Sequence, residues 1–151
     1  MMSQPFHIYP LGEKAITIEI GKTISEENHQ TVLSLGKFIE QLPIPGFIET
    51  VPAYCSLTIY YNPIELVKVF PESRNGIFNW MNTYLQNVLS KWQPGFNSTD
   101  QKPIISIPIC YDEDYGIDLN EVTNYHNTTA EEIIRIHSGL VYTVFMMGFS
   151  P

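Results

Sequence analysis

The sequence predicts an α+β fold, a small antiparallel sheet with two helices on one face. Three observations carry this expectation. Ala15-Ile16-Thr17-Ile18-Glu19-Ile20 alternates strictly, with the three isoleucines on one side and Ala15, Thr17 and Glu19 on the other, the pattern of a half-buried strand. Val32, Leu35, Ile39 and Leu42 recur at helical spacing, and so do Ile77, Met81, Tyr84, Leu85, Val88, Leu89 and Trp92. The order strand, strand, helix, strand, strand, helix lets both helices pack on one face of the sheet.

Each element has a local reason. His7 to Tyr9 is apolar and ends at the turn signal Pro10-Leu11-Gly12. Gly21 closes the alternating strand. Ser25 is a good N-cap, and Glu26 and Glu27 in the first turn suit the helix dipole. Pro43, Pro45 and Gly46 stop that helix. Phe47 to Val51 reads as a short strand, broken at Pro52-Ala53. Tyr54 to Tyr61 follows with Cys55, Leu57, Ile59 and Tyr61 on one face, and Asn62-Pro63 ends it. Asn75-Gly76 precedes the second helix and Pro94-Gly95 stops it. Residues 1–96 are thus read as an α+β domain and the polar, turn-rich stretch 97–102 as a linker.

Residues 103–151 have a different texture. Pro103 to Cys110 reads as a strand with Pro108 inside it, a residue that belongs at an edge or bulge. Tyr111 to Tyr115 is an acidic loop. Asp118 with Glu121, and Thr128 with Glu131, are capping-box patterns that open two short helices. Gly139 is the expected C-cap of the second. Val141 to Phe149 reads as a strand that runs straight into Pro151. About 50 residues are thin for an independent core. The expectation is a fragment cut inside a second domain, or a whole first domain with an arm.

The net charge of −8, from 8 Lys+Arg against 16 Asp+Glu, repels phosphate and argues against nucleic-acid or anionic-membrane binding. No apolar run approaches the ~20 residues of a membrane span. Residues 1–10 carry no secretory signal pattern. Cys55 and Cys110 are expected to be buried, reduced thiols of a cytoplasmic protein.

Motifs with a mechanism are missing. There is no glycine-rich phosphate loop, nucleophile elbow, paired-cysteine metal spacing or His-Glu-x-x-His. His126 and His137, with Glu131 and Glu132 between them, suggest a metal or acid–base cluster. Solvated helix-end residues are the favoured reading, and no metal site is expected. His7 and His29 are isolated. Cys55 as a nucleophile needs a nearby histidine base, and a small apolar core residue is the simpler account. Asp112, Glu113 and Asp114 lack the alternation of a calcium loop. Tyr54, Tyr60 and Tyr61 suit either a partner surface or sheet packing. His137-Ser138-Gly139 stands at a helix C-terminus, where histidine suits the dipole. None of these defines a reaction.

Four segments, taken in order, resemble the allophanate hydrolase subunit 1 family, which includes the B subunits of 5-oxoprolinases and a sporulation kinase inhibitor. They are His7-Ile8-Tyr9-Pro10-Leu11-Gly12 with the following strand, and Val51-Pro52-Ala53-Tyr54-Cys55-Ser56-Leu57 to Asn62-Pro63. Then come Ile107-Pro108-Ile109-Cys110-Tyr111 with Gly116, Asp118 and Leu119, and His137-Ser138-Gly139 with Tyr142, Met147-Gly148-Phe149 and Pro151. The resemblance implies a second domain that is a cyclophilin-like β-barrel, of which 103–151 is the incomplete start. It implies a subunit of an ATP-dependent 5-oxoprolinase, hydrolysing 5-oxoproline to glutamate with companion C-type and A-type subunits. Many catalytic groups would lie outside this chain, and the fragment alone would be inactive. His137, Tyr142, Phe149 and Pro151 match the signature stretch and are expected to line or support the cleft between subunits. The alternative within the family is a regulatory protein that docks on a histidine kinase and blocks its autophosphorylation. A third reading is a structural domain that only holds a complex together.

Overall fold

In a computed structural model that describes residues 6–93 and 104–147, four strands form one antiparallel sheet in the order β1-β2-β4-β3. β1 is His7–Pro10, β2 Ala15–Glu19, β3 Phe47–Pro52 and β4 Ser56–Tyr61. The described residues fall into two compact units. One is 6–93 with 144–147, and the other is 104–143.

The sheet belongs to the first unit. Its central pair, β2 and β4, sets Ile16 opposite Ile59 and Ile18 opposite Leu57. These four side chains are fully buried with Val32, Leu35, Ile39, Leu66, Met81 and Leu85 from the helices. One sheet face therefore packs on helices α1 (Glu26–Glu40), α2 (Pro63–Val69) and α3 (Ile77–Leu89). The sequence predicts two helices on this face, and the structure adds α2. Asn62 caps it, its Oδ1 accepting from the Ile64 N–H at 3.0 Å, and Pro63 fits the first turn, where no N–H is needed. A 3₁₀ turn, Pro71–Asn75, joins α2 to α3.

α1 begins where its cap residue requires. Ser25 is extended, and its Oγ accepts from the Asn28 N–H at 3.1 Å. Ser25→Ala is expected to lower the stability of this unit by about 1 kcal/mol. Urea denaturation followed by helical circular dichroism checks it, and an unchanged midpoint contradicts it.

β2 departs from the expected half-buried pattern, because Ala15 and Thr17 are buried as well. β2 lies between two neighbours, so their side chains cover its second face. Thr17 stands between Tyr9 and Thr58, and its hydroxyl bonds that of Thr58 at 3.0 Å. A bulge between Phe47 and Glu49 shifts the register at the start of β3 and leaves Ile48 exposed.

The second unit contains α4 (Leu119–His126) and α5 (Ala130–Gly139). Its described residues include no strand, which corrects two expectations. Among the described residues, neither 104–110 of this unit nor the run from Val141 on to 147, whose end belongs to the first unit, forms a strand, and Ile104, Ile105, Ile107, Val141 and Val144 are exposed. An apolar, alternating run forms a ladder only when another strand lies beside it, and without one its exposed backbone is left to water. The same fact explains the cysteines. Both are free, but Cys110 is exposed because the strand that would bury it does not form, and Cys55 is half-buried in the β3–β4 connection.

Two caps also shift. Thr129, not Thr128, caps α5, its hydroxyl accepting from the Glu132 N–H at 3.3 Å. Asp118 precedes α4 without a side-chain cap bond. Gly139 is the last residue of α5 rather than a left-handed C-cap, since Leu140 continues extended and no reversal is needed. Asn127, at φ 49°, makes the reversal after α4. The predicted linker 97–102, Phe149 and Pro151 lie outside the described residues.

Candidate functional site

His137 is the focus of the second unit. It occupies the last turn of α5. Tyr111, from the loop before α4, places its hydroxyl 2.7 Å from His137 Nδ1. The two rings meet edge to face, 5.9 Å apart and at 90°. The extended chain after Leu140 returns Tyr142 to the same residue. Its hydroxyl donates to the His137 carbonyl at 3.1 Å, and its ring lies 5.5 Å from the imidazole. The structure thus brings together two of the four predicted cleft residues, His137 and Tyr142. It adds Tyr111, which the sequence alone places in an acidic loop. Tyr111 ends one of the four family-like segments, the one signal in the sequence that marks it.

Local backbone bonds hold this arrangement. The 111–116 loop folds on Asp112, whose carbonyl accepts from the N–H groups of Tyr115 at 2.9 Å and Gly116 at 2.7 Å. α4 and α5 then pack as a short helical pair that carries His137 back toward Tyr111. Ser138, though adjacent to His137, donates its hydroxyl proton to the Ile134 carbonyl at 2.7 Å. It is therefore not paired with the imidazole as a nucleophile would be.

The other candidates separate. His126 rests edge to face on Tyr125, 4.9 Å between ring centroids. Glu132 is held by Arg135 through Nε at 2.8 Å and Nη2 at 2.6 Å. Among the described residues, no group of three or more His, Cys, Asp or Glu is placed to hold a metal ion. Asp112 Oδ1 accepts from the Asp114 N–H at 3.3 Å, a turn bond. In the first unit, His7 pairs with Glu19 at 3.2 Å, while His29 is buried with Phe145 against its ring. Tyr61 is a core residue, and burial pushes its phenol above the ordinary value. Tyr54 is partly exposed and stacks on Phe145.

Residues 104–143 carry seven carboxylates and one guanidinium, Arg135, which Glu132 already engages. A polyphosphate finds no cradle here, since the unit repels it and offers no glycine-rich loop. ATP therefore does not fit the described residues of this unit.

The charges of α5 predict a pH response. The Glu132 carboxyl is held below its ordinary range, first by the hydrogen bond from Arg135. That of Glu131 is lowered by its own backbone N–H and by the Thr129 hydroxyl. A carboxyl lowered in the folded state adds stability above its unfolded value and loses it as pH falls through the folded one. Helicity at α5 is expected to hold near neutrality and decline as pH falls below the ordinary 4.5. Amide NMR across Ala130–Gly139 reads this directly, and a pH-independent α5 contradicts it.

The chain resembles known proteins along nearly its full length. The family model "carboxyltransferase domain, subdomain C and D" matches residues 6–151. The B subunit of the 5-oxoprolinase of Bacillus subtilis (strain 168) is 33% identical over 150 residues, covering 99% of this chain and 62% of that protein. The B subunit of the 5-oxoprolinase of Escherichia coli O157:H7 is 20% identical over 143 residues, covering 95% of this chain and 59% of that protein. The crystal structure of TTHA0988 in space group P212121 aligns with a TM-score of 0.65 and 26% identity, covering 91% of this chain and 24% of that one. The chain thus spans less than two thirds of the length of these curated relatives. No helix of the described residues is long and apolar enough to cross a membrane. With the family model matching from Phe6 to the last residue, the chain belongs to the carboxyltransferase domain, subdomain C and D family, as its four motif segments lead one to expect.

Proposed function

We propose that this chain is the N-terminal part of a subunit of an ATP-dependent 5-oxoprolinase, which opens the lactam of 5-oxoproline to give glutamate. The observation that supports this most is the 33% identity to a 5-oxoprolinase B subunit over 150 residues. A lactam carbonyl is a poor electrophile, and phosphorylation by ATP is the activation the reaction calls for. ATP serves the complete complex with its companion C-type and A-type subunits. This chain contributes a wall of the cleft between subunits. His137, braced by Tyr111 and Tyr142, stands on that wall. Residues 104–110 and 141–147 are strand-forming segments of a cyclophilin-like barrel and pair when the remainder of that domain is present. The complex works in the cytoplasm.

The test is affinity capture of the full-length protein from its own cells. The expected result is recovery of companion carboxyltransferase-type subunits. Recovery of a histidine kinase, with no companion subunit, overturns the reading in favour of a kinase inhibitor.

A further inference from the structure

We infer that Tyr111 is a positioning residue, holding the His137 imidazole in its Nε2–H form so that the site presents an N–H donor to a carbonyl or carboxylate oxygen of its ligand. A neutral imidazole has one donor and one acceptor nitrogen, and the bond made by one sets the role of the other. Nδ1 lies 2.7 Å from the Tyr111 hydroxyl. A phenol is a strong donor and a weak acceptor, because its oxygen lone pair is shared with the ring. The favoured pairing is therefore O–H donating to Nδ1, which leaves the proton on Nε2.

The surroundings support this direction. Tyr142 does not compete for the ring, because its hydroxyl proton goes to the His137 carbonyl. One tyrosine thus fixes the side chain and the other fixes the backbone beneath it. Nε2 has no hydrogen-bond partner among the described residues, and His137 is exposed. In a unit with seven carboxylates, an N–H donor gives an oxygen ligand a point of attraction that does not depend on a fixed cation. Such an oxygen is available on a lactam, on its carboxylate, or on a partner's acidic side chain. The assignment of that oxygen to a substrate rests on the cleft proposed above, whereas the role of Tyr111 does not.

The experiment is NMR of the histidine ring nitrogens in this chain, at a pH where the ring is neutral, comparing wild type with Tyr111→Phe and Tyr142→Phe. Wild type is expected to show Nδ1 as the acceptor and Nε2 bearing hydrogen. Tyr111→Phe should raise the Nδ1–H share about two- to tenfold, the change expected from loss of one hydrogen bond. Tyr142→Phe should leave the ratio unchanged. A proton on Nδ1 in wild type, or equal ratios in wild type and Tyr111→Phe, overturns the inference. Steady-state kinetics of the reconstituted complex separates the two proposals. Loss of kcat in Tyr111→Phe in step with the tautomer change supports both. A tautomer change with full turnover sinks the placement of His137 in the cleft and leaves Tyr111 as its positioning residue.

Discussion

Leu57→Ala is expected to lower the unfolding free energy of the sheet unit by about 2–5 kcal/mol, the range for a leucine truncated in a packed core. Leu57 is fully buried on β4, a central strand, opposite Ile18 on one side and Pro52 on the other. Its Cδ1 also lies 3.4 Å from the position a Cβ would take on Gly36 of α1. Truncation leaves a void between sheet and helix that these rigid neighbours cannot close. Urea denaturation followed by tryptophan fluorescence measures it, since Trp80 stacks on Tyr84 within the same unit. A loss below about 1 kcal/mol would place the core elsewhere.

Gly46→Ala is the second large effect. Gly46 has φ +73°, a left-handed conformation that costs other residues free energy. Space is short as well. A Cβ there would sit 2.5 Å from the Asn62 backbone oxygen and 3.1 Å from Glu65 Cβ. The Gly46 carbonyl accepts from the Asn62 N–H at 2.7 Å, so this turn locks the entry of β3 against the start of α2. The expected loss is about 1–3 kcal/mol from the backbone alone, and more once the clash is relieved. Gly12→Ala serves as the comparison, because Gly12 is also left-handed but has open space around it. A thermal melt that ranks Gly12→Ala as the worse substitution contradicts the steric account.

The sheet was legible where local pattern and final packing agree. Ile16, Ile18 and Ile20 alternate, and Val32, Leu35 and Ile39 form a stripe, because each set faces one core. α2 was hidden for the opposite reason. Asn62-Pro63 reads equally as the end of a strand and the start of a helix, and seven residues are too few to show a period. The α5 cap was ambiguous by one residue, since Thr128 and Thr129 each have a glutamate three positions on. Ile104 to Ile109 looks like a strand from its own residues, but a strand exists only with a partner, and partner position is not written locally. The site divides in the same way. His137 and Tyr142 are five residues apart and fall in one motif, whereas Tyr111 meets His137 from 26 residues away.

The most direct test of the account is the turnover of the reconstituted complex. The full-length protein is combined with its companion subunits, and glutamate release from 5-oxoproline is measured with and without ATP. The expected result is ATP-dependent release that needs this subunit, and a fall in kcat of about 10²-fold in His137→Ala. An assembled complex that releases no glutamate, or one whose turnover is indifferent to this subunit, would contradict it.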